Sequence, residues 1–392
     1  MTEWIECTLD KLGEIVGGAT PSTKCEDYYG GSIPWITPKD LSSFKGRYIT
    51  SGERNITEKG LASCSAQMMP KDAVLFTSRA PIGYVAIASQ SVCTNQGFKS
   101  IVVNEKADPL FVYYLLKYNK DAIEAMGSGT TFKEVSGKTM RAVKVRIPLD
   151  VSYQKRIAAV LDSLDTKIEN NERINDNLYE MVNAYYTSLF KDVECEMTTI
   201  GNYAERIYSG GTPTTSNAAY WDGAFGWFSS GETRNRFVIS TEKTITQAGI
   251  DNSSTKLAAK HDIVMASAGQ GFTRGQTSML LIDTYVNQSV IVIHAERNVL
   301  PYLFWNLANR YEELRAISDS SSIRGSLTTK MIATFEIPLA NEESLQAFAD
   351  FSWSVIPQIE NNLLENERLA ALRDNLLPKL MSGEIDVSNI QL

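Results

Sequence analysis

Side chains that commonly carry out catalysis or hold metal ions are sparse in this chain. Only two histidines occur, His261 and His294, and neither has further ligands at metal-binding spacing. Residues 136–139, Ser-Gly-Lys-Thr, resemble the end of a phosphate-binding loop, but Phe132 stands where that motif needs its first glycine. Residues 165–167, Asp-Thr-Lys, could suggest a nuclease fragment, but they fall on a predicted helix, where a solvated face explains them. We therefore predict a chain that binds its target, is not an enzyme and holds no metal.

The composition is that of an ordinary globular protein. The chain has 392 residues, of which 43% are hydrophobic, enough for two domains with their own cores. No apolar run approaches the length that spans a bilayer, and no basic signal segment opens the chain, so we expect a cytoplasmic protein. The five cysteines form no Cys-x-x-Cys pair, which favours reduced structural thiols.

The net charge of −8 is unevenly distributed. Residues 1–150 carry 18 basic and 16 acidic groups, whereas the last 52 residues carry 3 basic and 9 acidic groups. Because the acid is concentrated near the C-terminus, local basic loops elsewhere can still bind a polyanion such as nucleic acid.

The chain repeats itself at an offset of 192 residues. A glycine-rich Gly-x-Thr-Pro element is followed in both copies by an aromatic pair, a tryptophan and an Asn-Gln dipeptide. The matching positions are 17–21 with 209–213, Tyr28 with Tyr220, Trp35 with Trp227, and 95–96 with 287–288. Such a duplication predicts two copies of one domain and a bipartite target.

The predicted fold is α+β, with two similar domains separated along the chain by two long antiparallel coiled-coil helices in a pseudo-two-fold, pseudo-cyclic repeat. We place domain 1 at residues 1–150, the first long helix at 151–193, domain 2 at 194–340, and the second long helix with a C-terminal tail at 341–392. Within each domain, short strands precede a helix that opens at proline, from Pro109 to about Met126 and from Pro301 to about Ile317.

Apolar residues follow a heptad pattern in both long helices, with two asparagines at matching positions. In an antiparallel pair of helices, the residue numbers of two facing positions always add up to the same value. A sum of 537 places asparagine opposite asparagine and most apolar residues opposite apolar ones. Slipping by one heptad would bury asparagine against leucine, which is unfavourable. The predicted helix–helix interface comprises Ile168, Asn171, Asn175, Leu178, Ile359, Asn362, Asn366 and Leu369.

Four further expectations concern these helices and the residues that follow the second one. A first helix from Gln154 to Phe190 would run about 55 Å. Pro357 should kink the second helix or split off its first turns, and Arg373 should face Leu164 with its stem lying along the helix. Residues 382–387 should form a helix stop and a short docking strand.

The ordered set of repeated elements, ending in an Ile-Pro-Leu before each long helix, resembles the specificity subunit of type I restriction–modification enzymes. The resemblance covers essentially the whole chain. It implies two target-recognition domains that each read half of a split double-stranded DNA sequence, on helices that fix the gap. It also implies two methylation subunits docked on those helices and restriction motor-nuclease subunits, with S-adenosylmethionine, ATP and magnesium bound by those partners and no cofactor bound by this chain.

Bases would be read from loops by side chains that match base-edge donors and acceptors. The candidates in domain 1 are Lys39, Lys45, Arg47, Arg54, Ser78, Arg79, Lys133 and Lys138, and those in domain 2 are Arg234, Asn235, Arg236, Ser267, Gln270, Arg274 and Arg324. Positions that differ between the two copies are better candidates than positions that agree. The shared tryptophans and the Asn-Gln dipeptides are therefore expected to serve the fold.

Two other functions stay open at this point. The chain could be a recognition subunit of another restriction class, or a scaffold that joins other proteins through its coiled coil without binding DNA. The acidic net charge is the best argument for the scaffold.

Overall fold

The computed structural model describes residues 3–129, 133–190, 196–269, 273–320 and 325–390. The chain divides into two compact units, which are described separately below. Unit 1 contains Met1–Glu169 and Arg368–Leu392, and unit 2 contains Asn170–Glu367. Each long helix contributes one part to each unit.

Unit 1 is built on a five-stranded sheet in the order β2-β9-β6-β7-β4 and a three-stranded sheet in the order β5-β3-β8, with β1 paired to β10. Its strands are β1 (Trp4–Thr8), β2 (Gly13–Gly17), β3 (Tyr29–Ile36), β4 (Tyr48–Ile49), β5 (Arg54–Ile56), β6 (Val74–Ser78), β7 (Ile82–Ala88), β8 (Cys93–Thr94), β9 (Lys99–Val103) and β10 (Lys144–Pro148). Its helices are α1 (Pro38–Ser42), α2 (Glu58–Ala62), α3 (Pro109–Tyr118), α4 (Lys120–Ala125), α5 (Gly137–Ala142) and the start of α6 (Val151–Phe190).

Unit 2 repeats this plan with a five-stranded sheet in the order β12-β20-β17-β18-β14 and a four-stranded sheet in the order β15-β13-β19-β16, with β11 paired to β21. Its strands are β11 (Met197–Thr199), β12 (Ala204–Ser209), β13 (Trp221–Phe228), β14 (Phe237–Val238), β15 (Lys243–Ile245), β16 (Lys256–Ala258), β17 (Ile263–Ala266), β18 (Thr277–Leu280), β19 (Thr284–Val286), β20 (Val290–Ala295) and β21 (Glu336–Pro338). Its helices are α7 (Ile200–Tyr203), α8 (Gln247–Asp251), α9 (Leu300–Asn309), α10 (Tyr311–Ser320), α11 (Thr329–Ala333) and most of α12 (Glu342–Ser382).

The helix predicted from Pro109 is two helices, α3 and α4, with a break at Asn119. Asp108 caps the start of α3 by accepting a hydrogen bond from the Phe111 amide at 3.0 Å. Asn119 ends the helix because its side-chain amide donates to the Leu115 carbonyl at 2.8 Å. The helix of domain 2 is likewise divided, at Arg310.

The continuous helix α12 runs through Pro357, so the prediction that this proline splits off the first turns is wrong. Proline removes one backbone donor, but it lies on the exposed side of α12, where water can serve the carbonyl left without its partner. Its neighbours Val355, Ile356 and Ile359 are buried in the core of unit 2, which holds the helix in place on both sides of the proline.

Asparagines of α6 and α12 meet within unit 2. The side-chain amide of Asn171 donates to Oδ1 of Asn366 at 2.9 Å, and that of Asn362 donates to Oδ1 of Asn175 at 2.8 Å. These are the pairs that the constant sum of 537 predicts, and they make the helices antiparallel. Asn171 also donates to Glu365 at 2.8 Å, although it is fully buried.

Leu178 and Ile359 belong to the same apolar core of unit 2, as their places in the predicted seam require. Ile168 and Leu369 lie in unit 1, where both are partly buried.

We expect Asn171→Leu alone to lower the free energy of unfolding by about 1–3 kcal/mol, because the amide of Asn366 loses its partner in the helix seam. Adding Asn366→Leu should recover at least half of that loss, since two leucines can pack where two amides were bonded. A double-mutant cycle in urea measures the coupling between the two positions. A double variant whose loss equals the sum of the losses of the two single variants would show that the two amides are not coupled.

The C-terminal tail docks on unit 1 without forming the predicted strand. Val387 is fully buried in the core, and its amide donates to the Tyr153 hydroxyl at 3.2 Å. That hydroxyl in turn donates to Asp386 at 3.0 Å. No residue from 383 to 390 pairs with a strand, so the tail is held by the apolar contacts of Ile385 and Val387 and by hydrogen bonds to Tyr153.

Candidate nucleic-acid interface

A carboxylate at the start of a short helix organises one loop edge of each domain. In domain 1, Oδ2 of Asp40 accepts hydrogen bonds from the Thr37 amide at 2.7 Å and hydroxyl at 2.6 Å, while Oδ1 accepts from the Glu53 amide at 2.7 Å. The equivalent bonds in domain 2 join Glu232 to Ser229 and to the Glu242 amide, at 2.8, 3.0 and 2.9 Å. The frame that carries this edge is therefore the same in both copies.

Two predicted base readers lie on this edge and pair with equivalent glutamates. Lys39 of α1 binds Glu53 at 2.7 Å, and Arg234 binds Glu242. The lysine follows the first residue of its short helix, whereas the arginine is the last residue of the corresponding turn, at 230–234. Both cations are more than half exposed, so the same anchor presents a different cation in a different place in each domain.

A cation also lies over an aromatic ring at equivalent positions. The Arg54 guanidinium is 5.6 Å from the centroid of the Tyr29 ring, and the Lys243 ammonium is 5.6 Å from that of Trp221. The register shows the equivalence, because Arg54 pairs with Trp35 across the sheet and Lys243 pairs with the corresponding Trp227. Cations on aromatic faces are attracted by the ring quadrupole. Lys243 was not among the predicted site residues, because its offset from Arg54 is 189 rather than 192.

Arg236 and Asn235 extend the exposed edge of domain 2. The Arg236 guanidinium lies 4.2 Å from the centroid of the Tyr179 ring and binds Asp176 at 3.2 Å. Both partners belong to α6, so this arginine is oriented by the helix from within unit 2.

Arg79 and Arg274 are held by acidic side chains, one in a neighbouring loop and one at the end of α10. Arg79 lies 3.6 Å from Glu134, a carboxylate that Lys99 also approaches at 3.5 Å. In domain 2, Arg274 binds Asp319 and donates to the Gly325 carbonyl at 2.7 Å. Arg79 is about one-third exposed and Arg274 is 14% exposed, so Arg274 presents much less of its surface.

A family model for the type I restriction modification DNA specificity domain matches residues 1–180 and again 193–367. The chain belongs to this family. It is 29% identical over 411 residues to the specificity subunit of the type I restriction enzyme MjaIX of Methanocaldococcus jannaschii, covering 99% of this chain and 95% of that protein. It is 26% identical over 216 residues to the EcoR124I/EcoR124II specificity subunit of Escherichia coli, covering 53% of this chain and 49% of that protein.

The fold is shared with the crystal structure of an S subunit of a type I restriction–modification system from M. genitalium. The two chains superimpose with a TM-score of 0.61 at 17% identity, over 97% of this chain and 96% of that one. The predicted fold class for this specificity subunit, two similar α+β domains and two long antiparallel helices, is confirmed.

Ser78 and Ser267 are buried, which corrects their place among the base readers of this specificity subunit. They are 0% and 7% exposed, and their amides donate to the carbonyls of Gly97 at 2.7 Å and Ser289 at 2.8 Å. Their own carbonyls accept bonds from Val135 at 3.0 Å and from Leu327 at 2.8 Å. The two serines occupy the same structural position and hold the frame.

Arg47 is also corrected, because it is 5% exposed and its guanidinium is used inside unit 1. It binds Glu169 through two hydrogen bonds of 3.1 and 3.0 Å, donates to Thr166 at 2.9 Å, and pairs with Asp162. Burial alone would lower the pKa of Arg47, but Glu169 and Asp162 outweigh it and raise the pKa. The arginine therefore fastens the β4 edge of domain 1 to α6.

Asp165 is buried as well, although the sequence placed it on a solvated helix face. It is 6% exposed, accepts a hydrogen bond from the Tyr114 hydroxyl at 2.7 Å, and binds Arg373 of α12 at 2.7 Å. Burial, together with the Asp165 charge, raises the pKa of Tyr114. Arg373 thus forms an ion pair between the long helices, where a snorkelling stem was expected.

In unit 2 the counterpart of Arg47 is Arg236, because the Ile87 amide donates to the Arg47 carbonyl at 2.7 Å and the Met279 amide donates to the Arg236 carbonyl at 2.9 Å. Arg236 also contacts α6, through Asp176 and the Tyr179 ring, but its side chain is half exposed. The arginine that precedes β4 or β14 therefore contacts α6 in both copies, but it is buried in unit 1 and exposed in unit 2. The counterpart of Asp162 is Trp353, which packs on the apolar core of unit 2. The counterpart of Tyr114 is Asn306, whose amide donates to the Tyr186 hydroxyl at 2.8 Å.

Three predicted lysines, Lys45, Lys133 and Lys138, are exposed. Gln270 and Arg324 lie outside the described residues. Trp35 and Trp227 are 3% and 5% exposed, as expected for shared frame residues.

Within the part of the chain that the structure describes, no group of three or more His, Cys, Asp or Glu side chains could hold a metal ion. No helix in these ranges combines the length and the apolar character needed to cross a membrane.

Proposed function

We propose that each domain of this chain reads one half of a bipartite double-stranded DNA sequence for a type I restriction–modification complex. The proposal rests on one observation: the two domains share the same loop framework, but the exposed cations on that framework differ between them. Asp40 and Glu232 hold the two loop edges in the same way, whereas Lys39 and Arg234 leave them from different positions. Two domains of one design with different exposed side chains are suited to two different half-sites.

The residues best placed to read bases are the exposed members of the candidate set. They lie on short helices and on the loops beside them, where side chains can reach a groove while the frame stays fixed. In domain 1 they are Lys39, Lys45, Lys133 and Lys138, and in domain 2 they are Arg234, Asn235 and Arg236. Arg79 is only about one-third exposed, and Arg54 lies over the Tyr29 ring beside the glycine-rich loop that both domains share.

The long helices set the gap between the half-sites, and two methylation subunits dock on them. Restriction subunits join the same complex. Methyl transfer from S-adenosylmethionine, ATP hydrolysis and magnesium binding belong to these partners, and this chain contributes recognition without catalysis. The sequence has no Asn-Pro-Pro-Tyr or Asp-Pro-Pro-Tyr, the usual signature of amino-methyl transfer, and no complete phosphate-binding loop, which supports this division of labour.

The test is DNA binding by the full chain assembled with its methylation subunits. A duplex selected from a random pool should bind at least a thousandfold more tightly than an unrelated duplex. The affinity should fall steeply with salt, because cationic side chains of the protein release counterions from the DNA phosphates when they bind. Absence of any sequence preference or salt dependence would contradict the proposal and favour a protein scaffold.

A further inference from the structure

The glycine-rich loop and the Asn-Gln dipeptide of each domain meet at the surface. The Thr20 hydroxyl donates to Oε1 of Gln96 in domain 1, and the Thr212 hydroxyl donates to Oε1 of Gln288 in domain 2. Both glutamines are exposed. The Thr–Gln pair is therefore a repeated surface feature, although the dipeptide as a whole was expected to serve the fold.

Only the asparagine of each dipeptide supports the loop structure. Oδ1 of Asn95 accepts from the Gly97 amide at 2.8 Å, and Oδ1 of Asn287 accepts from the Ser289 amide at 3.0 Å. Backbone bonds already fasten the glycine-rich loops, since the Ala19 amide donates to the Thr94 carbonyl at 3.0 Å. The corresponding bond in domain 2 joins Gly211 to Val286 at 3.1 Å. An additional exposed side-chain bond contributes little to stability next to these, so the fold does not explain the glutamines.

The same loops are joined to the cation–aromatic pairs. The Tyr29 hydroxyl donates to the Pro21 carbonyl at 2.7 Å, and Arg54 lies over that tyrosine. In domain 2, Nε1 of Trp221 donates to the Thr214 carbonyl at 3.3 Å, and Lys243 lies over that tryptophan. Each domain thus presents a glutamine amide and a cation on one connected surface, which we call the Thr–Gln patch: Thr20, Gln96, Tyr29 and Arg54 in domain 1, and Thr212, Gln288, Trp221 and Lys243 in domain 2.

We propose that the Thr–Gln patch of each domain binds the phosphate backbone of DNA and positions the domain independently of the bases that it reads. This inference rests on the proposed function, because it assumes that the two domains face different half-sites. A surface that is the same in both domains must then face something that both half-sites share, and the backbone is common to them.

The chemistry of the patch is that of a phosphate site. The threonine hydroxyl donates to the side-chain carbonyl oxygen of the glutamine. The amide nitrogen Nε2 is therefore the group that can donate a hydrogen bond to a ligand. The cation changes from Arg54 to Lys243 while its charge is kept, which suits a phosphate that accepts from either cation. A protein partner would recognise the shape of the side chain, and the change from arginine to lysine does not keep that shape.

The test uses the full chain assembled with its methylation subunits and the selected duplex. Gln96→Ala with Gln288→Ala should weaken binding roughly 10-fold, because one donor is lost in each domain. Gln96→Glu with Gln288→Glu should weaken it further: a glutamate can still accept from the threonine, but it repels phosphate. The matched control is Gln90→Ala with Gln247→Ala, two exposed glutamines outside the patch, which should leave affinity unchanged.

The cations give a separate readout. Arg54→Gln with Lys243→Gln should reduce the slope of log affinity against log salt by about 1.8, since each phosphate neutralised contributes about 0.9. The ratio between the selected duplex and duplexes with single base-pair changes should stay the same in all of these variants.

Three results of the DNA-binding measurements would each overturn the proposal: alanine variants that bind as tightly as the control, glutamate variants that bind as tightly as the unmodified chain, or an altered preference at one half-site. Weaker assembly with the methylation subunits at unchanged DNA affinity would assign the patch to a protein partner and also overturn it. Failure of the proposed function is distinguishable, because the unmodified complex would then show no preference for the selected duplex.

Discussion

Arg47→Met is expected to lower the free energy of unfolding of unit 1 by about 2–3 kcal/mol. Methionine keeps much of the buried volume but removes the charge that pairs with Asp162 and Glu169. Both carboxylate side chains are 32% exposed, so water replaces part of the lost interaction. The effect should therefore be smaller than that of breaking a fully buried ion pair.

Calorimetry of the full chain measures this effect as a fall of about 5–10 °C in the unfolding midpoint of unit 1. Hydrogen exchange across residues 162–169 should show the loss of protection at the attachment of β4 to α6. The matched control is Arg141→Met, an exposed arginine of α5, which should change the midpoint by no more than about 1–2 °C. Equal midpoints for the two variants would contradict the structural role of Arg47.

The same variant should also be sensitive to pH. Burial raises the pKa of Asp162, and the charge of Arg47 lowers it. Removal of Arg47 should therefore raise the pKa of Asp162 further. An aspartate whose pKa is raised in the folded state lowers the stability of the fold while it is ionised. This loss of stability fades as the pH falls from the folded-state pKa to the unfolded-state pKa of about 4. The stability difference from the wild-type chain should be largest near neutral pH and smaller in acid. A difference that grows on acidification would contradict this sign.

Lengthening both long helices by seven residues should move the DNA half-sites apart without changing their sequences. An insertion between Ile168 and Asn171, matched by one between Asn366 and Leu369, keeps the asparagine pairs in register because seven residues complete a heptad. It adds about 10.5 Å to each helix, roughly the length of three base pairs. Modification of the original site should fall more than tenfold.

The readout is the methylation motif in a host that carries the lengthened chain. The account predicts both original half-sites with a changed number of unspecified bases between them. As a control, the same seven residues placed in α6 alone should destroy the helix register and abolish modification. An unchanged gap with altered half-sites would show that the helices do not set the spacing.

The long helices could be predicted from sequence because their signal is periodic and local. A heptad pattern with matching asparagines specifies which residues face one another, and the bonds of Asn171 and Asn175 follow from it. The duplication likewise revealed the shared tryptophans, because residues that hold the same frame recur at one spacing.

The attachment of domain 1 to the helices could not be predicted in this way. Arg47 bonds to residues 115 to 122 positions away, and Arg373 bonds to Asp165 from 208 positions away. A charged residue on a loop or helix is usually solvated, so without the tertiary contact Arg47 and Asp165 were assigned to the surface. Ser78 and Ser267 escaped comparison for another reason. The segment from Asp40 to Glu53 is three residues longer than its counterpart in domain 2, so the offset between the copies falls from 192 to 189 before these serines and returns to 192 only after them.

The central claim is that one chain specifies a split DNA sequence. Single-molecule sequencing of methylated bases in a host with and without this gene tests it most directly. The account predicts one gene-dependent motif made of two specific parts separated by a fixed number of unspecified bases. A continuous motif, or a methylation pattern that is unchanged when the gene is removed from a host that expresses the partner methylation subunits, would contradict it.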